Sequence, residues 1–264
     1  LQCMNKMTKK KVPRIVVIGG GTGTFAVLTA LRNYSVPLHL TAIITMADSG
    51  GSTGRLRDQY DVLPPGDVRR ALVALSEGSN DLRDMFNYRF ETGDFRGHTF
   101  GNMFLTVAER VSRGSFSRGV KKAARALNVK GEAIPVTLRR VTLCAKTENG
   151  RIIRGEKNID IRERDPHIPI EKVWLEPRAQ INPEARQAIL SADIVVIGPL
   201  VDDQTNSHIG FRGIIDEEDA SANTNVEPVS SWVKATVQNL LNLELIHSTW
   251  HSRPPRPLWH SRSG

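Results

Sequence analysis

Arg14-Ile-Val-Val-Ile-Gly19-Gly20-Gly21-Thr22-Gly23-Thr24 is a short apolar run that breaks into glycines. A second such run follows: Leu40-Thr-Ala-Ile-Ile-Thr-Met-Ala, spilling into Asp48-Ser49-Gly50-Gly51-Ser52-Thr53-Gly54. Runs of this length and content read as buried strands. In a parallel sheet both glycine loops open at the carboxyl edge, where α/β proteins hold their ligands. Glycine lets the backbone come close to a ligand, and its N–H groups suit phosphate oxygens. The pattern therefore predicts an α/β chain that grips a phosphorylated molecule.

The rest of the chain extends this reading. Thr24–Asn33 is expected to be the helix returning over the sheet, and Leu38–Thr45 the second strand. Leu63-Pro64-Pro65-Gly66-Asp67 punctuates the chain, with Asp67 as N-cap of a helix over Val68–Leu75. Helices are expected over Leu82–Phe90, Met103–Val111 and Ser115–Leu127. The period then shortens. Ile134-Pro-Val, Arg140–Lys146, Arg151–Arg154 and Glu171–Glu176 read as strands, with a hairpin turn at Glu148-Asn149-Gly150. Asn182-Pro183 starts another helix, and Asp193–Ile197 is a last apolar strand before Gly198-Pro199. The expected architecture is a Rossmann-like parallel sheet with helices on both faces over residues 13–199, carrying a small β-rich insertion at about 130–178. Residues 1–12 read as a disordered leader. Residues 200–264 read as a largely disordered tail, apart from an amphipathic stretch at Trp232–Ile246.

Charge and cysteine content narrow the class. The net charge of +8 is uneven: residues 1–199 carry +11 and residues 200–264 carry −3. An anionic ligand or a nucleic acid would explain the excess, but no aromatic-studded basic face or nucleic-acid motif accompanies it. Nucleic acid is therefore not an expected partner. Cys3 and Cys144 have no zinc or CxxC spacing, so a reducing cytoplasm is the expected setting. No run is long enough to span a bilayer, so no membrane partner is expected.

The candidate site residues cluster in four stretches. Gly21-Thr22-Gly23-Thr24-Phe25-Ala26 fits G-x-G-x-x-A, yet Asp48 lies too far along to be the ribose-binding acid of a standard NAD site. Tight strand-to-helix packing is the alternative use of Gly20, Gly21 and Gly23. Asp48, Ser49, Gly50, Gly51, Ser52, Arg55 and Arg57 form the more specific element. Asp48 could hold a ribose diol or a metal, the hydroxyls and N–H groups phosphate oxygens, and the two guanidiniums could clamp them. Gly66-Asp67-Val68-Arg69-Arg70 puts two arginines in a first helical turn, where they oppose the macrodipole unless an anion sits nearby. His98 and Asn102, in Gly97-His98-Thr99-Phe100-Gly101-Asn102, could meet phosphate, or be a surface donor and a helix cap. P-loop, nucleophile-elbow and HExxH patterns are absent, which removes those enzyme classes.

Together with Ala192–Pro199, these motifs resemble, in order, those of the bacterial gluconeogenesis factor family, in the superfamily of 2-phospho-L-lactate transferase. The resemblance covers about residues 13–199. It implies a cytoplasmic Rossmann-like regulatory protein that binds a nucleotide-sugar such as UDP-N-acetylglucosamine. It further implies a link between carbon metabolism, cell-wall precursor supply and cell shape, with a cell-wall precursor enzyme or a second copy as partner. No cofactor is required on this reading. The transferase relatives use a divalent metal, so the alternative is a metal-dependent transferase of a phosphorylated group, with Mg²⁺ at Asp48. The family continues past Gly-Pro into a glycine, serine and tyrosine loop. Here Leu200-Val-Asp-Asp-Gln follows instead, as in a divergent tail or a truncated or frame-shifted reading.

Overall fold

The computed structural model describes residues 12–160 and 168–197. The expectations for the leader up to residue 11, for Gly198-Pro199 and for the whole 200–264 tail lie outside the described residues. Four parallel strands form the main sheet: β1 (Arg14–Gly19), β2 (His39–Ile44), β3 (Glu132–Pro135) and β7 (Ile194–Ile197), in the order β3-β2-β1-β7. This is the expected α/β architecture. β1 and β2 read as continuous apolar runs because the sheet is covered on both faces.

The alternation along these strands sorts the core into two layers. Ile15, Val17, Leu40, Ala42 and Ile44 face one way. They pack with α1 (Gly21–Arg32), α3 (Gly66–Leu75), α5 (Phe100–Arg110) and α6 (Phe116–Ala126). Val16, Ile18, Ile43 and Ile134 face the other way, onto Ala185, Ala188 and Ile189 of α8 (Pro183–Ser191). α8 starts where Asn182-Pro183 predicts: the Asn182 side chain accepts the Glu184 N–H at 3.1 Å. α2 (Gly51–Tyr60) and α4 (Asn80–Asn87) complete the long crossover from β2 to β3.

One expected boundary moves. Ile134-Pro-Val was expected within the β-rich insertion, but β3 pairs in parallel with β2, Ile43 opposite Ile134. The separate antiparallel sheet comprises only β4 (Thr142–Thr147), β5 (Ile152–Arg154) and β6 (Ile170–Glu176), in the order β5-β4-β6. Ile134 alone cannot reveal this, because a short apolar run suits either sheet. The small sheet and α7 (Glu156–Asp160) pack against Ala47, beside the second glycine loop.

The chain passes from β3 on one side of β1 to β7 on the other. The strand order therefore reverses between β1 and β7, and a crevice at the carboxyl ends follows from that topology. No helix among the described residues is long and apolar enough to cross a membrane.

One buried acid lies away from that edge. Glu109 on α5 is 7% exposed, and its Oε2 has no hydrogen-bond partner. Burial pushes its carboxyl up to about 7, against the smaller opposing pull of the Leu63 backbone N–H and Arg110. The folded protein holds this proton more tightly than the unfolded chain, so stability falls as pH rises from about 4.5 to about 7. Glu109→Gln keeps an acceptor for Leu63 and removes the buried charge. Thermal melts at pH 8 should show a Tm several degrees above wild type, and the two should converge near pH 4.

Candidate functional site

The first glycine corner is built by exclusion. β1 ends at Gly19, and Gly20 is extended and fully enclosed. A Cβ on Gly20 would stand 2.4 Å from Asp67 Oδ2 and 2.6 Å from Thr45 Oγ1. Gly21 has φ +67, a conformation that suits glycine. α1 begins there, three residues before the apolar period suggests, so Thr22, Gly23 and Thr24 are its first turn rather than a loop. Thr22 is exposed, whereas Gly23 and Thr24 are buried.

Asp67 does not cap its own helix. The cap position of α3 is Pro65, without a side-chain bond, and Asp67 lies inside the first turn. Its Oδ1 accepts the Gly21 N–H at 3.0 Å across 46 positions of sequence. A local capping rule missed this because the competing partner is tertiary. Gly66 makes the approach feasible, since a Cβ there would lie 2.3 Å from Thr53 Oγ1 and 3.0 Å from Asp48 Oδ2.

The second glycine stretch is half loop and half helix. Asp48 Oδ1 accepts the Gly50 N–H at 2.8 Å, and Gly50 is the cap of α2. Gly51–Gly54 then form the first turn, with Gly51 exposed and Ser52 and Thr53 turned inward. Ser49 Oγ accepts the Lys157 N–H at 3.1 Å, which ties the small sheet's α7 to the loop. The amino ends of α1, α2 and α3 thus meet at the carboxyl edge of β1 and β2.

A buried polar network lies alongside. Ser52 Oγ sits 3.1 Å from His98 Nδ1 and accepts the Asn102 side-chain N–H at 3.2 Å. Asn102 is a helical residue of α5, whose cap is Thr99, and it is only 3% exposed. Its Oδ1 accepts Arg69 Nε at 3.1 Å, and Arg69 Nη1 also bonds Asn87 Oδ1. Arg69 is therefore a buried guanidinium held by neutral amides.

The electrostatics follow from this packing. Burial brings Arg69 down to about 10, and the nearby cations Arg70 and Arg89 add to that, while Asp67 opposes it. Burial also lowers the His98 imidazole, with Arg55 and Arg89 adding repulsion. Arg70, Arg69, Arg89 and Arg55 thus form a run of cations between Asp67 and His98. Arg55 and Arg89 bond the Arg96 and Gly97 carbonyls rather than acids. Asp67 is pushed up to about 6, by burial first and the nearby Asp48 second; Gly21, Arg70 and Arg69 pull it back.

Of the residues singled out in the sequence, Gly20, Gly21, Asp48, Gly66 and Asp67 meet at one corner. Ser52, Arg69, His98 and Asn102 form the adjoining network, and Arg55 lies at its rim. Arg57 stands apart: its Nε pairs with Asp58 at 3.1 Å. Thr45 and Thr53, not singled out in the sequence, line the corner, and Arg89, likewise not singled out, joins Arg69 and Arg70 in the cation run. Arg70 had a signal, its place beside Arg69 in a helix's first turn. Arg89 had none, because Tyr88–Phe90 read as a helix end rather than one arm of a turn.

The Asp67 carboxyl gives a pH signature. Its folded value lies above its ordinary 3.8, so the stabilisation it carries is complete below about pH 4 and is lost towards pH 6. Asp67→Asn retains an acceptor for Gly21. Melts from pH 4 to 8 should show the variant more stable than wild type above pH 6 and declining only by the part that Glu109 contributes.

The sequence matches the family described as 2-phospho-L-lactate transferase CofD over residues 15–200. It is 41% identical over 195 residues to the gluconeogenesis factor of Listeria monocytogenes, covering 73% of this chain and 58% of that one. The gluconeogenesis factor of Bacillus subtilis is 39% identical over 191 residues, 71% of this chain and 57% of the relative. A crystal structure of a UPF0052 family member from Bacillus halodurans superposes with a TM-score of 0.67 at 40% identity, over 72% of this chain and 59% of that one. The chain thus spans less than two thirds of the length of these relatives. It belongs to the 2-phospho-L-lactate transferase CofD family, and the relatives it resembles here are gluconeogenesis factors.

Proposed function

We propose that this chain binds a nucleotide-sugar at the carboxyl edge of β1 and β2, as a regulatory protein of the gluconeogenesis factor type. The observation that carries the reading is the buried Arg69 guanidinium, held by two amides and adjoining Arg70 and Arg89, with Arg55 and Arg89 beside His98 next to it. A buried cation normally has an anionic partner, and four neighbouring guanidiniums suit a diphosphate better than a single carboxylate. The amino ends of α1, α2 and α3 add their partial positive charge at the same place. The Gly21 and Gly50 N–H groups are taken by Asp67 and Asp48. The reading therefore rests on side-chain cations more than on a glycine cradle. UDP-N-acetylglucosamine is the ligand proposed, with a role in supplying cell-wall precursors and shaping the cell.

A transferase reading is favoured by one observation, the proximity of Asp48 to Asp67, whose proton is held by burial first and by the Asp48 charge second. Two carboxylates suit Mg²⁺, which keeps waters and shares phosphate oxygens, and the hydroxyl of Thr53 lies close to Asp48. No group of three or more His, Cys, Asp or Glu able to hold a metal occurs among the described residues, so an all-protein cage does not fit. Asp48 and Asp67 are the residues that would hold Mg²⁺, which would supply charge neutralisation for a transferring phosphoryl group. Incubation with UDP-sugars and Mg²⁺, followed by ³¹P NMR, separates the readings: a new phosphorus species that forms catalytically establishes transfer, and ligand that stays unchanged while calorimetry shows it bound establishes binding alone.

Titration calorimetry with UDP-N-acetylglucosamine tests the clamp. Arg55→Ala and Arg70→Ala should each weaken binding by about tenfold, the worth of a charged hydrogen bond. Arg57→Ala, whose guanidinium is engaged by Asp58, should leave affinity within about twofold on the same scale. Equal affinities for wild type and the Arg55/Arg70 double variant would refute the assignment.

A further inference from the structure

Residues 88–99 form a hairpin-like excursion between α4 and α5 that presents aromatic rings to solvent. Phe90 and His98 pair through the Phe90 N–H and His98 carbonyl at 2.9 Å, and Gly97 N–H donates to the Phe90 carbonyl at 2.7 Å. The Phe100 N–H donates to the Tyr88 carbonyl at 2.9 Å, and Arg89 bridges Thr99. The excursion is thus a hydrogen-bonded element. On it, Tyr88 and Phe90 lie edge to face at 5.2 Å, and Phe90 and Phe95 lie tilted at 5.6 Å. Phe90 is the half-buried centre of this group. Tyr88 and Phe95 are 56% and 53% exposed.

Half-exposed rings contribute little to folding through burial, so the core does not account for them. Their placement does. The excursion is tied to the amino end of α2 by Ser52, which meets His98 Nδ1 and accepts the Thr99 N–H at 3.4 Å. It is tied again one turn later, where Arg55 Nη2 donates to the Arg96 carbonyl at 3.0 Å. Gly97, at φ +78, lets that guanidinium close in, since a Cβ there would lie 2.7 Å from it. Arg55 stands four residues past Gly51, about 6 Å along the helix. An aromatic group and Arg55, the cation proposed above to clamp phosphate, therefore share one rim.

From this juxtaposition we propose that Tyr88 and Phe95 form the platform on which the nucleobase of the bound ligand stacks, with Arg55 marking the boundary between base and diphosphate. This rests on the nucleotide reading above and assigns that ligand's second half. Stacking on an aromatic side chain tolerates any base, because every base has a π-face. The platform thus recognises a nucleoside diphosphate as a class and discriminates it from inorganic pyrophosphate. The paired rings cost little to order, since each has only two side-chain torsions.

Calorimetry on the full chain with pyrophosphate, UDP and GDP tests this at fixed ionic strength. Wild type should bind both nucleotides about five- to a hundredfold more tightly than pyrophosphate. The Tyr88→Ala/Phe95→Ala variant should lose that preference while binding pyrophosphate unchanged. Phe95→Leu, which keeps apolar bulk without a ring, should lose part of it. In wild type the UDP ring protons H5 and H6 should move upfield on binding, and in the double variant they should not. Retention of the preference in the double variant overturns the proposal. So does equal binding of UDP and pyrophosphate by wild type, which leaves the phosphate site standing. Failure of wild type to bind any of the three overturns the nucleotide reading and the platform together. If sedimentation shows that the double variant dissociates a wild-type dimer with the preference unchanged, the rings join two copies and the platform is refuted.

Discussion

Asp67 accepts the Gly21 N–H at 3.0 Å, and Gly20 has no side chain because Asp67 and Thr45 occupy that space. This contact locks the start of α3 onto the corner between β1 and α1. Gly66 does the same for Asp48 and Thr53 of the second loop. Three chain segments distant in sequence therefore share one small volume that only glycine backbones leave open. The electrostatic cost is visible in Asp67, whose carboxyl keeps its proton up to about pH 6 beside Asp48. A bound cation, or a ligand hydroxyl that donates to these oxygens, would relieve that strain without moving the backbone.

Beside the acidic corner the sign of the charge reverses. Arg69 is buried against Asn102 and Asn87, and Arg70 and Arg89 raise the cost of its charge further. Desolvated cations with neutral acceptors are poised for an anion, because the attraction gained is larger where water is excluded. Ser52 joins this region to the aromatic excursion through His98, Thr99 and Asn102. A single hydroxyl thus positions elements from α2 and α5, and the rim inherits the rigidity of two helices.

The other end of the sheet poses a different demand. β7 is an edge strand among the described residues, and Ile194, Val195 and Ile197 are between 41% and 51% exposed. An all-apolar parallel strand ordinarily lies covered on both faces. The relatives run well beyond the region they share with this chain, which covers 57% to 59% of their length. Whatever whole-protein activity those relatives have is read here only through the shared region, where the glycine corners and the cation run reside.

Much of the fold was legible in the residues. Apolar runs with both faces to bury specify parallel strands, and Asn182-Pro183 or Ser115 specify helix starts, because those preferences act over a few neighbouring residues. The same locality explains what was misread. Asp67 looked like a cap, and a cap was one of two readings of Asn102, since nothing in the adjoining sequence tells that Gly21 or Arg69 waits across the fold. Ile134 looked like part of an insertion because a strand's partner is chosen by the sheet, not by the strand. By itself the sequence determined the α/β class, the glycine corners and the excess of positive charge in the first 199 residues. Only the tertiary structure decided which arginines stand together, that Arg89 joins Arg55 beside His98, and that an aromatic rim adjoins them. Those outcomes depend on contacts between residues up to about fifty positions apart, where packing and desolvation outweigh local preference.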